Sequence, residues 1–348
     1  MAGKQPGPSG VAGHVAVSDE VKLSVLDLAP VPDGSTPADA LRNSVELVRL
    51  AERLGYHRYW VAEHHNMPGI ASSSPPVLIG HLASATERIR IGSGGVMLPN
   101  HAPLVVAEQF GMLSALHDGR IDLGLGRAPG TDQVTAHALR RDASPAADEF
   151  PRQLGELIGF LDGEFPDDHP YASITAVPGR GYRPPIWLLG SSGYSAQLAG
   201  ALGMPFSFAH HFAGDNTVPA VELYRSSFRP SPDLAEPYVM LGVSVFCADT
   251  EDEARRMASS QELSFLQLRT GRPGPLPSPE QAANYPYTSL DRQLMEQRGQ
   301  HTVVGDPKQV AEQLTELVAR TGAQELMVTT QAWDHAARLH SYELVAGH

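Results

Sequence analysis

Lys22-Leu-Ser-Val-Leu-Asp-Leu28, Tyr59-Trp-Val-Ala62, Ile89-Arg-Ile-Gly-Ser93 and Ile121-Asp-Leu-Gly-Leu125 are four short apolar runs, and what lies between them decides the fold. After the first, Thr36-Pro37-Ala38-Asp39 has the form of a helix start: a hydroxyl at the N-cap, proline at the first helical position and an acid in the first turn. Leu41, Val45, Val48, Ala51 and Leu54 then recur at helical spacing, and Gly55 ends the pattern. The second and third gaps predict helices over Pro76–Thr86 and Pro103–Leu116, and Asp118-Gly119 forms a turn before the fourth run. Strands separated by helices of this length are joined by crossovers, so they run parallel.

The alternation continues through a strand at Ile186–Leu189, a helix over Tyr194–Leu202, and strands at Phe206–Ala209, Tyr238–Ala248 and Glu325–Thr329, closed by a helix around Trp333–Val345. Eight strands in an α/β chain of 348 residues predict one closed (β/α)8 TIM barrel, because barrels of this kind fill that length as a single domain. The irregular stretch Gln261–Thr302, with Gly271-Arg-Pro-Gly-Pro275 inside it, is read as an insertion after strand seven. Residues 1–21, rich in Gly, Pro, Ala and Ser, are read as a flexible tail and not as a signal peptide; residues 22–348 form the barrel domain.

Composition removes several classes of function. A net charge of −13 with no basic cluster argues against nucleic acid. No apolar stretch is long enough to span a bilayer. Cys247 is the only cysteine and sits in an apolar run, which fits an inert core position and a reducing, cytoplasmic setting. The three lysines are Lys4, Lys22 and Lys308; Lys22 starts a strand and Lys308 starts a helix, both away from the active face of a barrel, so Schiff-base chemistry is disfavoured. Gly124-Leu-Gly126-Arg-Ala-Pro-Gly130 has its third glycine one place too late for a dinucleotide fingerprint, and Pro129 would obstruct the helix. Gly190-Ser-Ser-Gly-Tyr194 is not a nucleophile elbow, and neither a Walker sequence nor a histidine metal motif occurs, so no metal site is expected.

In a barrel the reacting groups follow the strand C-termini. There the chain carries Glu63-His64-His65-Asn66, Gly94-Gly95, Asn100-His101, Arg127-Ala-Pro-Gly130, Ser191-Ser192-Gly193-Tyr194 and His210-His211.

Five segments in order, Trp60-Val-Ala-Glu-His-His65, Ile91-Gly-Ser-Gly-Gly-Val-Met-Leu-Pro99, Gly119-Arg-Ile-Asp-Leu-Gly-Leu-Gly-Arg127, Gly190-Ser-Ser-Gly-Tyr194 and Val304-Gly-Asp-Pro-Lys-Gln-Val310, make the chain from Lys22 onward resemble the bacterial luciferase-like flavin monooxygenases. The resemblance implies reduced FMN, delivered by a separate flavin reductase, reacting with dioxygen to a C4a-hydroperoxyflavin that oxygenates a small organic substrate. It implies His64 as the catalytic histidine, Gly94-Gly95 as a cis peptide beneath the isoalloxazine, and Arg127 as the phosphate arginine. Ser191, Ser192, Gly193 and Tyr194 would complete the phosphate cradle at a helix start. Asn100, His101, His210 and His211 are candidates for the substrate pocket, His65 is expected to be structural, and Glu63 requires a buried partner that the sequence does not identify. A homodimer is also implied. Two alternatives stay open: deazaflavin-dependent hydride transfer in the same fold, and a non-catalytic flavin-binding subunit.

Overall fold

The structure, a computed structural model, describes residues 21–139 and 149–348; all of the N-terminal tail except Val21 lies outside them. Nine strands form one parallel sheet: β1 (Lys22–Asp27), β2 (Arg58–Val61), β3 (Arg90–Met97), β4 (Ile121–Gly126), β5 (Ile186–Gly190), β6 (Phe206–Phe208), β7 (Val239–Cys247), β8 (Thr302–Gly305) and β9 (Glu325–Thr329). Each strand from β1 to β7 pairs with the next, β7 pairs with β9, and β9 returns to β1, so eight strands close the barrel and β8 stands outside it on β7.

The helices are α1 (Pro37–Arg53), α2 (Pro75–Ser84), α3 (Pro103–Leu116), α4 (Gln133–Leu139), α5 (Phe150–Asp162), α6 (Gly193–Ala201), α7 (His210–Ala213), α8 (Thr217–Ser227), α9 (Glu251–Arg269), α10 (Pro279–Asn284), α11 (Ser289–Gly299), α12 (Pro307–Thr321) and α13 (His335–Val345). Helix α1 begins as its sequence predicts: the Thr36 hydroxyl accepts from the Asp39 amide, and the Asp39 carboxylate accepts from the Thr36 amide.

Two-residue periodicity sorts each strand into two faces. Val25, Tyr59, Val61, Ile91, Leu123, Leu188, Leu326 and Val328 belong to the large buried cluster packed against the helices. Leu26, Leu28, Trp60, Ala62, Trp187, Met240 and Met327 form a second, smaller cluster from the alternate positions, inside the barrel. Below them, at the strand N-termini, the Arg58 guanidinium binds Glu325 and Asp122, each at 2.7 Å, and lies 4.7 Å from the Trp187 ring. Trp60 Nε1 donates to the same Asp122 at 3.1 Å. This ionic floor and the aromatic layer above it plug the lower barrel, leaving the C-terminal mouth as the open end.

Three expectations need correction. Strand three does not stop at Ser93: β3 continues through Gly94-Gly95 to Met97, its pairing with β4 shifting between Ser93 and Val96. The shift inserts the two glycines without a register partner, a bulge that re-aims the strand end. The stretch Gln261–Thr302 is not irregular, since it contains the second half of α9, all of α10 and α11, and the first residue of β8. The Gly271–Pro275 segment breaks the helical run as its composition requires, and a capping box at Ser278 and Gln281 restarts it. Finally, β8 is an additional strand: β7 has nine residues and extends past the barrel, so Ser244–Cys247 have an edge free to pair with Thr302–Gly305.

Candidate active site

Glu63, the second residue beyond β2, is fully buried, and its carboxylate organises the mouth of the barrel. It accepts from the Met97 amide at 2.9 Å, from Asn100 Nδ2 at 3.2 Å, and from the Nε2 atoms of His65 and His101, each at 2.9 Å. Burial alone would raise its pKa, but the hydrogen bond and charge of His101, with the hydrogen bonds from His65 and the Met97 amide, outweigh it and hold the carboxyl below its usual range. Three of the sequence candidates are thereby placed. His65 is a structural partner, while Asn100 and His101 turn toward Glu63 and do not line the cavity described next.

His64 points elsewhere. Its Nδ1 lies 3.3 Å from the Gly130 carbonyl, which can only accept, so Nδ1 carries the hydrogen and Nε2 keeps a lone pair. Burial lowers its pKa, so the ring is neutral at pH 7. The loop after β4 that supplies this carbonyl is tied to the loop after β2: Thr131 Oγ1 donates to the His65 carbonyl at 2.8 Å, and Asn66 Nδ2 to Asp132 at 2.9 Å.

A cavity of about 220 Å³ opens at the mouth above the aromatic layer. Its walls are Leu26, Leu28, Trp60, Leu189 and Met327, with Gly94 from β3 and His64 and His211 at its side. The Gly94-Gly95 peptide is cis. A Cβ on Gly95 would meet the Gly124 carbonyl at 2.7 Å, so bare backbone is required there, while one on Gly94 would lie 2.7 Å from the Leu26 side chain and displace it.

At the far end the cavity is polar. Arg127, the first residue past β4, lies with its guanidinium 4.2 Å from the Tyr194 ring, and no carboxylate pairs with it among the described residues. Ser191, Ser192 and Ser195 line the same end. Ser192 is the N-cap of α6 but its hydroxyl makes no capping bond, so the first-turn N–H groups of that helix lack a side-chain acceptor. A lone guanidinium beside an uncapped helix start is a site for an anion, and its chemistry fits a phosphate. Gly95, Gly193 and Tyr194 stand behind the lining, Tyr194 as the platform for Arg127.

Of the histidine pair, His211 lines the cavity and is fixed by the Gly242 carbonyl at 2.8 Å from its Nδ1; burial pushes its pKa down to about 4. His210 faces away, bonded to Thr217 Oγ1 at 2.7 Å and set edge-on to His301, and its pKa is also pushed by burial to about 4.

A second cavity of about 320 Å³ adjoins the first through Leu28, His64 and Phe212, which line both. Its outer wall comes from α9, the turn that follows it and α11, including Phe265 and Arg298. Nothing in the sequence marked these residues, because the contact joins segments far apart in the chain and carries no strand-end signature.

Comparison with known proteins gives the family of the chain. The model of the luciferase-like monooxygenase family matches residues 21–325. A luciferase-like monooxygenase of Escherichia coli is 50% identical over 324 residues, 93% of this chain and 96% of its own. The crystal structure of apo-MsnO8 superposes with a TM-score of 0.86 at 41% identity, covering 94% of this chain and 97% of that one. The oxygenating constituent of 3,6-diketocamphane monooxygenase of Pseudomonas putida, solved in complex with FMN, shares the fold at TM-score 0.70 and 20% identity, covering 94% of this chain and 96% of that one.

Proposed function

Since the chain belongs to the luciferase-like monooxygenase family, we propose that it is an FMN-dependent monooxygenase that inserts one atom of dioxygen into a small organic substrate and releases the other as water. Reduced FMN, when bound, supplies the two electrons that activate dioxygen. The observation that carries this reading is the meeting, in one cavity, of a bare-backbone ledge at Gly94, the lone Arg127 guanidinium beside the uncapped start of α6, and neutral His64. The FMN complex of the camphane oxygenase supports the choice of flavin.

In this reading Arg127, Ser191 and Ser192 hold the phosphate with the Gly193 and Tyr194 amides, while Gly94 and Gly95 leave room for the ring system. The apolar walls exclude water, which strengthens every polar contact inside. His64 offers an unprotonated Nε2 where a proton must be taken up and returned, which makes it the catalytic histidine. Glu63 is a positioning residue that fixes the loops carrying His64 and Asn100. A separate flavin reductase as electron donor, a homodimeric working form and a cytoplasmic setting belong to the same proposal. The sequence supports the first with its missing dinucleotide fingerprint and the last with its single, buried cysteine.

Anaerobic titration with photoreduced FMN tests the reading. The chain should bind it, and Arg127→Met should weaken binding by about ten- to a hundredfold, the worth of one charge-assisted contact. No binding, or equal binding by the variant, overturns the assignment; tighter protection by a deazaflavin selects hydride transfer instead.

A further inference from the structure

Arg298, half-buried on α11, differs from the two fully buried arginines. Arg58 is matched by Asp122 and Glu325, and Arg338 by Asp27 at 2.7 Å. The Arg298 guanidinium, on α11, lies 4.1 Å from the Phe265 ring of α9 and 6.0 Å from the Phe212 ring, and among the described residues no hydrogen bond or ion pair reaches it. Aromatic faces hold a guanidinium in place but leave its in-plane N–H donors unused. Burial lowers its pKa, with nearby Glu262 only partly opposing that, so a charged group is being kept in a costly place. The donors are not sealed away, because Arg298 lines the second cavity.

The remainder of that lining is a recognition surface for something mostly apolar: Leu28, Met67, Ile70, Phe212, Leu268 and Leu276, with the amides of Gln261 and Gln331. Neither wall contributes a carboxylate; the only other lining charge is Arg269, exposed at the rim. The cavity meets the first one at His64, so a molecule lying in it presents one end to the proposed reaction centre and can place the other on Arg298.

We propose that Arg298 is the anchor for a substrate carboxylate, and that the substrate is a small acid with an apolar body whose oxygenated end reaches His64. The inference rests on the monooxygenase reading above and adds its substrate class. Two unpaired arginines then have separate duties: Arg127 takes the cofactor phosphate on one side of His64, and Arg298 takes the carboxylate on the other. A carboxylate suits the guanidinium because its two oxygens match two parallel N–H groups, and the apolar lining around them strengthens the pair.

Calorimetric titration of the FMN-loaded protein with straight-chain C4–C8 carboxylates and their primary amides tests this. The acid should bind about ten- to a hundredfold more tightly than the amide of equal length. Arg298→Gln should abolish that preference while the affinity for reduced FMN stays unchanged. Arg298→Lys should restore part of it, since charge survives but the fork does not. Arg127→Met should do the reverse, losing FMN affinity and keeping the acid preference in whatever fraction remains loaded. If acid and amide bind the wild type equally, if neither binds, or if the glutamine variant weakens both alike, Arg298 only clamps α11 to α9 and the inference fails. Such a failure leaves FMN binding intact, so it is distinct from a failure of the cofactor assignment.

Discussion

Replacing Glu63 with glutamine removes one negative charge and one acceptor from the most connected side chain at the barrel mouth. The carboxylate receives hydrogen bonds from the Met97 amide, Asn100, His65 and His101, with none of its own surface exposed. Glutamine keeps one acceptor oxygen and turns an NH2 toward donors, so at least one contact is lost and a donor is left facing a donor. A hydrogen bond to a buried charge contributes about 1.5–3 kcal/mol, and an unmatched buried donor costs about 1–3 kcal/mol. The expected loss is therefore about 3–4 kcal/mol at pH 7. With an unfolding entropy near ~2 cal/mol/K per residue, that lowers the melting point by about 4–5 °C for a chain of this size.

The pH dependence is a sharper test than the magnitude. The folded-state pKa of Glu63 lies below its ordinary 4.5, so between the two values the unfolded chain binds more protons. Its contribution is then complete above pH 4.5 and disappears as the pH falls through the folded value. Melting curves of wild type and Glu63→Gln, recorded from pH 7.5 to 3.5, should be farthest apart above pH 5 and converge in acid. A gap under ~1 kcal/mol at neutrality, or one that does not narrow below pH 4.5, would refute the role assigned to this carboxylate.

Two further substitutions address the chemistry and the framework. His64→Gln should leave reduced-FMN affinity unchanged and slow the oxygen-dependent reoxidation of bound reduced FMN, read by stopped-flow absorbance. Because burial lowers the His64 pKa below 6.5, the midpoint of any acid limb in the wild-type rate should lie below the 6.5 of a free imidazole; an acid limb that survives in the variant excludes His64 as its origin. Gly124→Ala would place a Cβ 2.1 Å from the Ser93 carbonyl, inside the barrel wall, and should cost several kcal/mol or prevent folding altogether. Gly34→Ala, where the Cβ meets nothing within 4 Å, is the control for glycine replacement at a positive φ of 86° and should cost about 1 kcal/mol, measured by urea unfolding.

The barrel was legible because its strands are local signals. Each is a short apolar run followed by a glycine-, proline- or histidine-bearing segment, and the run lengths agree with the observed strands to within a few residues. β8 escaped because four residues with two of them buried carry little pattern, and because its partner is the overhang of β7 and not the barrel. The helical content of residues 261–299 was obscured by Gly271–Pro275, whose turn signal spread to the helices on either side. Strand-end residues such as His64, Gly94 and Arg127 could be placed from sequence, since the barrel itself dictates where strand ends meet. Side-chain direction could not. Asn100 and His101 occupy the right height on the mouth and turn to Glu63, and His210 and His211, adjacent in the chain, face opposite ways.

The insertion leaves the barrel at the end of β7 and comes back as β8 beside that same strand, Cys247 opposite Gly305. Its two ends are thus pinned together independently of anything in between, like the handles of a removable panel. Nine of the sixteen residues bordering the second cavity fall in this panel, and none of those bordering the first does. Mutations accumulating between residues 248 and 301 would repave the outer chamber while barrel closure and the inner chamber kept their own residues, so the proposed substrate selectivity and the proposed oxygen chemistry can change at different rates within one chain.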